Sequence, residues 1–126
     1  MNKQKHIVIV DDDPGIQDAI RMILEHTGYG ITVFSNGDRL LSGDFDVPDL
    51  FILDKQLPGV DGLDICRHLK SSEKTRQIPV LILSASPHVA RMAESAAADG
   101  FLEKPFQMKV IRKVVEKLLN VAQFDT

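Results

Sequence analysis

Asp49-Leu-Phe-Ile-Leu-Asp54-Lys-Gln-Leu-Pro58-Gly-Val-Asp61-Gly62 is the stretch from which the fold can be read. Residues 50–53 form an unbroken apolar run, the pattern of a strand buried on both faces of a parallel sheet. The run ends in a carboxylate, Asp54. Pro58 and Gly59 make a loop, and Asp61 stands where an N-cap would open an amphipathic helix at Gly62. Open α/β sheets bind ligands outside the carboxyl ends of their strands, which is where Asp54 falls. A solvated acid that merely ends a strand would look the same, so the other strand ends decide the reading.

Upstream, His6-Ile-Val-Ile-Val10 is a β-branched strand that breaks into Asp11-Asp12-Asp13-Pro14. Asp13 and Pro14 suit an N-cap and a first helical residue. That leaves Asp11 and Asp12 unexplained, because one cap suffices and adjacent like charges repel. Ile16, Ala19, Ile20, Ile23 and Leu24 recur at helical spacing up to Gly28, which stops the helix. A second strand covers residues 30–34, a short helical piece residues 37–42, and a loop residues 43–49. Downstream, Leu63, Ile65, Cys66 and Leu69 mark the core face of a helix whose Arg67 and Lys70 face water. A fourth strand is predicted over residues 78–83, before Ser84-Ala85-Ser86-Pro87. Residues 88–98 form an Ala-rich, weakly amphipathic helix, and residues 101–103 a brief fifth strand ending in Lys104-Pro105-Phe106. In the last helix, about residues 107–122, Met108, Val110, Ile111, Val114, Val115, Leu118, Leu119, Val121 and Ala122 fill one half of the circumference. That half is wider than the stripe of about 100° that packing on a sheet requires.

Strand and helix thus alternate five times, with connections suited to right-handed parallel crossovers. The predicted fold class is α/β, a three-layer, doubly wound, five-stranded parallel sheet. At 126 residues the chain is expected to be one domain with a core over about residues 6–122, and to carry no output domain. A net charge of −3 with no Lys/Arg run argues against a nucleic-acid surface. The apolar runs are too short to cross a bilayer, and the N-terminus lacks the pattern of a secretory signal. The lone Cys66 fits a reducing cytoplasm and reads as a small core residue rather than a reactive thiol. His6, His26, His68 and His88 share no spacing and read as solvated or capping residues.

The strand ends deliver Asp11-Asp12, Asp54, Ser84 and Lys104 to one edge of a parallel sheet. Three or more carboxylates gathered there would repel unless a hard cation sat among them, and an all-oxygen set with room for water favours Mg²⁺ over Zn²⁺. The Lys104 ammonium and the Ser84 hydroxyl add a point charge and a donor for an anion. An acid nucleophile beside Mg²⁺, a lysine and a hydroxyl is what phosphoryl transfer to a carboxylate needs.

Four motifs carry a resemblance: Val-Asp11-Asp12-Asp-Pro, Leu-Asp54-Lys-Gln-Leu-Pro-Gly-Val-Asp-Gly, Ile-Leu-Ser84-Ala, and Phe101-Leu-Glu-Lys104-Pro105-Phe. In this order and spacing, over about residues 7–120, the chain resembles the receiver domains of two-component response regulators, the CheY-like family. The resemblance implies the strand order 2-1-3-4-5. It implies that Asp54 accepts a phosphoryl group from the phosphohistidine of a sensor histidine kinase or phosphotransfer protein. Asp12 and Asp54 would hold Mg²⁺ directly, Asp11 through water, and Gln56 through its main-chain carbonyl. Ser84 and Lys104 would each engage a phosphoryl oxygen, and Phe101 would move with Ser84. A downstream effector, or a second copy of the chain, would then read the face made by the fourth helix, fifth strand and fifth helix. A cis Lys104–Pro105 bond is also implied. Such a protein catalyses its own phosphorylation and slow dephosphorylation without being a turnover enzyme.

The sequence departs from that family where Ala97 replaces a common Gly, implying either a left-handed alanine at about 1 kcal/mol or an altered helix end. Lys55, Gln56 and Ser86 are expected to line the approach of water, and Glu103 to point away from the site. Three other functions compete. An aspartate-nucleophile phosphohydrolase would place a second Asp where Gln56 stands. A receiver used as a phosphorylation-independent binding module would share every motif and differ in its response to a phosphodonor. A flavodoxin-like redox or nucleotide module would need a Gly-rich loop after the first strand, where Asp-Asp-Asp-Pro would repel phosphate.

Overall fold

A computed structural model describes residues 4–124. Its elements run β1 (His6–Val10), α1 (Pro14–His26), β2 (Gly30–Phe34), α2 (Asp38–Ser42), β3 (Leu50–Asp54), α3 (Gly62–Ser71), β4 (Val80–Ser84), α4 (Val89–Ser95), β5 (Gly100–Glu103) and α5 (Met108–Phe124). The five strands form one parallel sheet in the order β2-β1-β3-β4-β5. Every carboxyl end therefore points the same way.

Alternation along the strands explains the unbroken apolar runs. Ile7, Ile9, Leu50, Ile52, Leu81 and Leu83 face a core closed by α1 and α5. Val8, Val10, Phe51, Leu53, Val80 and Ile82 face a second core closed by α2, α3 and α4. The three central strands have apolar neighbours on both sides, so neither face can turn polar. Asp13 caps α1, accepting from the Gly15 and Ile16 amides at 2.8 and 3.3 Å. Asp61 caps α3 through the Leu63 amide at 2.7 Å.

Several boundaries differ from the sequence reading. The fourth strand begins at Val80, not residue 78, because the Ile78 amide donates a hydrogen bond to the Thr75 carbonyl at 2.9 Å and is held in a turn. It extends through Ser84, which pairs with Glu103. α4 is shorter than predicted, since Ala97 takes a left-handed conformation (φ 62°) and the Ala98 amide returns to the Ala93 carbonyl at 2.9 Å. Both alternatives for Ala97 are therefore realised together: a left-handed alanine and an early helix end. Among the described side chains of α5 only Ile111, Val115 and Leu119 are buried, while Met108, Val114 and Leu118 are half-buried and Val110 is exposed. The side chains of Val121 and Ala122 lie outside those described. Among the described residues no helix is long and apolar enough to cross a membrane.

Candidate functional site: an acidic cluster at the carboxyl edge

β1 and β3 are neighbours, so their carboxyl ends bring Asp11, Asp12 and Asp54 together. One carboxylate oxygen from each lies within 4.8 Å of the others. Asp11 and Asp54 are buried and Asp12 is exposed. Lys104, delivered by the end of β5, places its ammonium 3.0 Å from Asp54 Oδ1 and 3.2 Å from Asp11 Oδ2. The Asp11 carboxylate also accepts the Asp13 amide at 2.9 Å. The Lys104–Pro105 peptide is cis, as the resemblance implied. Ser84 is buried at the end of β4, where its Oγ accepts the Ser86 amide at 3.0 Å.

The electrostatics follow from this crowding. Burial, opposed by the Lys104 hydrogen bond but reinforced by the Asp11 and Asp12 charges, raises the Asp54 pKa. Burial also works against the Lys104 ammonium, yet its hydrogen bonds to and attraction by Asp54 and Asp11 more than offset this, and its pKa is raised. One ammonium pairs with two of the three carboxyl groups. The donors are all oxygens, so the cluster fits a hard divalent cation.

Phe101 lies outside this cluster. Its Cα is in register with Ile82 on β4, and the residue is 46% exposed beside an open groove of about 440 Å³ between α4, β5 and α5. Gln56 and Glu103 are exposed. Two lysines depart from the sequence reading. Lys55, expected on the approach of water, turns to Asp61 at 3.0 Å. Lys70, expected to face water, instead donates to Asp99 at 2.7 Å and to the Ile78 carbonyl at 2.9 Å. A basic residue breaking the polar face of a short helix carries no signal of a partner so distant in sequence. Cys66 is buried, its thiol pushed up to about 11 by burial, in keeping with a core residue.

The sheet order and the acid-and-lysine edge define a doubly wound α/β protein with its site outside the strand ends. The chain belongs to the response regulator receiver domain family, which it matches over residues 7–116. It is 37% identical, over 118 residues, to the DNA-binding dual master transcriptional regulator RpaA of a Synechocystis strain. The match covers 90% of this chain and 48% of that protein, so the chain spans about half the length of this relative. Among solved structures, a putative response regulator from Chloroflexus aurantiacus superposes with a TM-score of 0.87 at 28% identity, covering 94% of this chain and 99% of that one. The receiver domain of a signal transduction histidine kinase from Syntrophus aciditrophicus gives 0.84 at 34% identity, covering 92% and 90%.

Proposed function

We propose that the chain is a phosphoacceptor: Asp54 takes a phosphoryl group from a phosphohistidine on a sensor histidine kinase or phosphotransfer protein. The observation that carries this reading is the Lys104 ammonium bridging the buried Asp54 and Asp11 within a cluster of three carboxylates. An Asp54 oxygen forms the new O–P bond as the P–N bond to the donor imidazole breaks, and the imidazole leaves with the electron pair of that bond. Lys104 already lies within 3.0 Å of the attacking carboxylate, so a small displacement lets it meet a phosphoryl oxygen. Ser84 Oγ accepts the Ser86 amide, which leaves its hydroxyl proton available for a second phosphoryl oxygen. Mg²⁺, held by Asp12 and Asp54, by Asp11 through water and by the Gln56 main-chain carbonyl, would neutralise charge on the transferred group. The product stays attached to the chain, so the protein is not a turnover enzyme on an external substrate. Gln56 stands where a phosphohydrolase would carry its acid, which disfavours that alternative.

Output runs through α4, β5 and α5. Ser84 and Phe101 sit on paired strands, and Ser84 drawn toward a phosphoryl group would leave room for the Phe101 ring to turn inward. An effector protein, or a second copy of the chain, would read the change. The buried free thiol and the receiver family fit a cytoplasmic setting.

Intact mass spectrometry after incubation with Mg²⁺ and a small phosphodonor tests the proposal. The wild type should gain one acid-labile phosphate and Asp54→Asn none. Equal labelling of the variant, or no labelling of the wild type, would overturn it and, in the second case, favour a phosphorylation-independent binding module.

A further inference from the structure

The loop between β3 and α3 has little to hold it. Gln56, Pro58, Gly59 and Val60 are exposed, and only Leu57 reaches the core around α3. Yet both of its ends are fastened. The Gly62 amide donates to the Lys55 carbonyl at 2.9 Å, and the Lys55 ammonium lies 3.0 Å from Asp61 Oδ2. The Lys55 side chain is only 19% exposed, so its pairing is more sheltered than a surface ion pair. Asp61 serves two partners at once, since its other oxygen caps α3 through the Leu63 amide.

We propose that Lys55 is a positioning residue for the metal site. Its ammonium, held by the helix-capping Asp61, closes the 55–61 loop and so sets the Gln56 carbonyl in place to meet a cation beside Asp54. The inference rests on the preceding reading, in which residue 56 offers a main-chain ligand to Mg²⁺. A loop left open would have to be ordered when the cation binds, and that ordering weakens affinity.

Calorimetric titration with Mg²⁺ separates positioning from simple charge. Lys55→Met removes a positive charge near three acids, which through space should tighten cation binding. Asp61→Asn removes a negative charge, which through space should weaken it, while the asparagine still caps α3. Positioning instead weakens binding in both variants. Each should raise the Mg²⁺ dissociation constant about fivefold, less than the roughly 10–100-fold of a residue bonded directly to a ligand. The double variant should be no weaker than the weaker single one, and Lys55→Arg should stay near wild type. Opposite shifts in the two single variants, unchanged affinity in Lys55→Met, or additive losses would overturn the inference. Melting curves without Mg²⁺ check that each variant is folded; if Lys55→Met is not, Lys55→Gln removes the same charge and takes its place, and an unchanged or tighter affinity there overturns the inference. A wild type that binds no Mg²⁺ would overturn the metal site itself, a different failure.

Discussion

Replacing Asp54 by asparagine should make the protein more stable in metal-free buffer. Two carboxylates have oxygens within 4.8 Å of an Asp54 oxygen. At an effective dielectric of about 20, two unit charges at that separation repel by about 3.5 kcal/mol. Lys104, at 3.0 Å, returns an attraction of about 5.5 kcal/mol on the same scale. The two repulsions together exceed that attraction by about 1.5 kcal/mol, and burial of the charge adds to the penalty. Asparagine keeps the shape and an oxygen for Lys104 while removing the charge. We expect a gain of about 1–2 kcal/mol at pH 7, or roughly 5 °C in melting temperature for a chain of this size. The pH dependence has a defined sign. A carboxyl group whose pKa is raised on folding contributes stability below its unfolded value, and this is lost as pH rises through the folded one. The wild type should therefore lose stability relative to Asp54→Asn as pH climbs above the ordinary aspartate value of 3.8. Chemical denaturation followed by circular dichroism, across pH 4–7 (roughly the range over which a raised carboxyl titrates), measures the gap. Adding Mg²⁺ should close it by stabilising the wild type, by about 2.7 kcal/mol at a hundredfold excess over the dissociation constant. A variant less stable than wild type at pH 7 without Mg²⁺, or a gap indifferent to pH, would refute the reasoning.

A beryllofluoride mimic with Mg²⁺ should shift amide resonances across residues 88–115, and less so in Ser84→Ala; changes confined to the loops around Asp12, Asp54 and Ser84 would remove the output face and leave the acceptor. Two glycine exchanges should act in opposite directions in thermal melts. A Cβ on Gly62 would lie 2.0 Å from the Asp54 carbonyl oxygen, so Gly62→Ala should destabilise by about 3 kcal/mol or more. Ala97→Gly relieves a left-handed alanine and should stabilise by about 0.5–1 kcal/mol; no gain would mean that Gly flexibility in the unfolded chain cancels the relief.

Groups fixed by strand ends were legible in the sequence. Asp11, Asp12, Asp54 and Ser84 follow apolar runs and Lys104 follows a short strand, and a parallel sheet leaves one edge for such residues to occupy. The caps Asp13 and Asp61 were legible for the same local reason. What escaped the reading depends on contacts between distant segments. The start of β4 was misplaced because Ile78 is as β-prone as its neighbours, and only the turn bond to Thr75 holds it out of the strand. Lys70 looks solvated on a helical wheel, since nothing local announces Asp99. The breadth of the apolar half of α5 was legible, but which of its margins the sheet leaves open was not. Val110 and Ile111 are adjacent and equally apolar, and only packing makes one exposed and the other buried.

The two ends of the sheet are built on opposite principles. At the amino end, acids are matched to donors. Asp49 accepts the His6 amide at 2.8 Å and returns its own amide to the His6 carbonyl at 2.8 Å, tying β3 to β1. Asp99 accepts the Val80 amide at 2.8 Å and Lys70 at 2.7 Å, tying β5 to β4 and both to α3. At the carboxyl end three acids gather where one lysine pairs with two of them, and the serine at the end of β4 keeps a donor in reserve. Charge arriving at the carboxyl end therefore changes an arrangement that is already unfavourable, while the amino end keeps the strands in register. The groups at the edge where the acids repel are Ser84, Lys104 and the loop tied by Lys55. Under the proposed phosphoryl transfer, a group added at that edge would meet Ser84 and Lys104 at the ends of β4 and β5, while the paired acids at the amino end hold the strands in register.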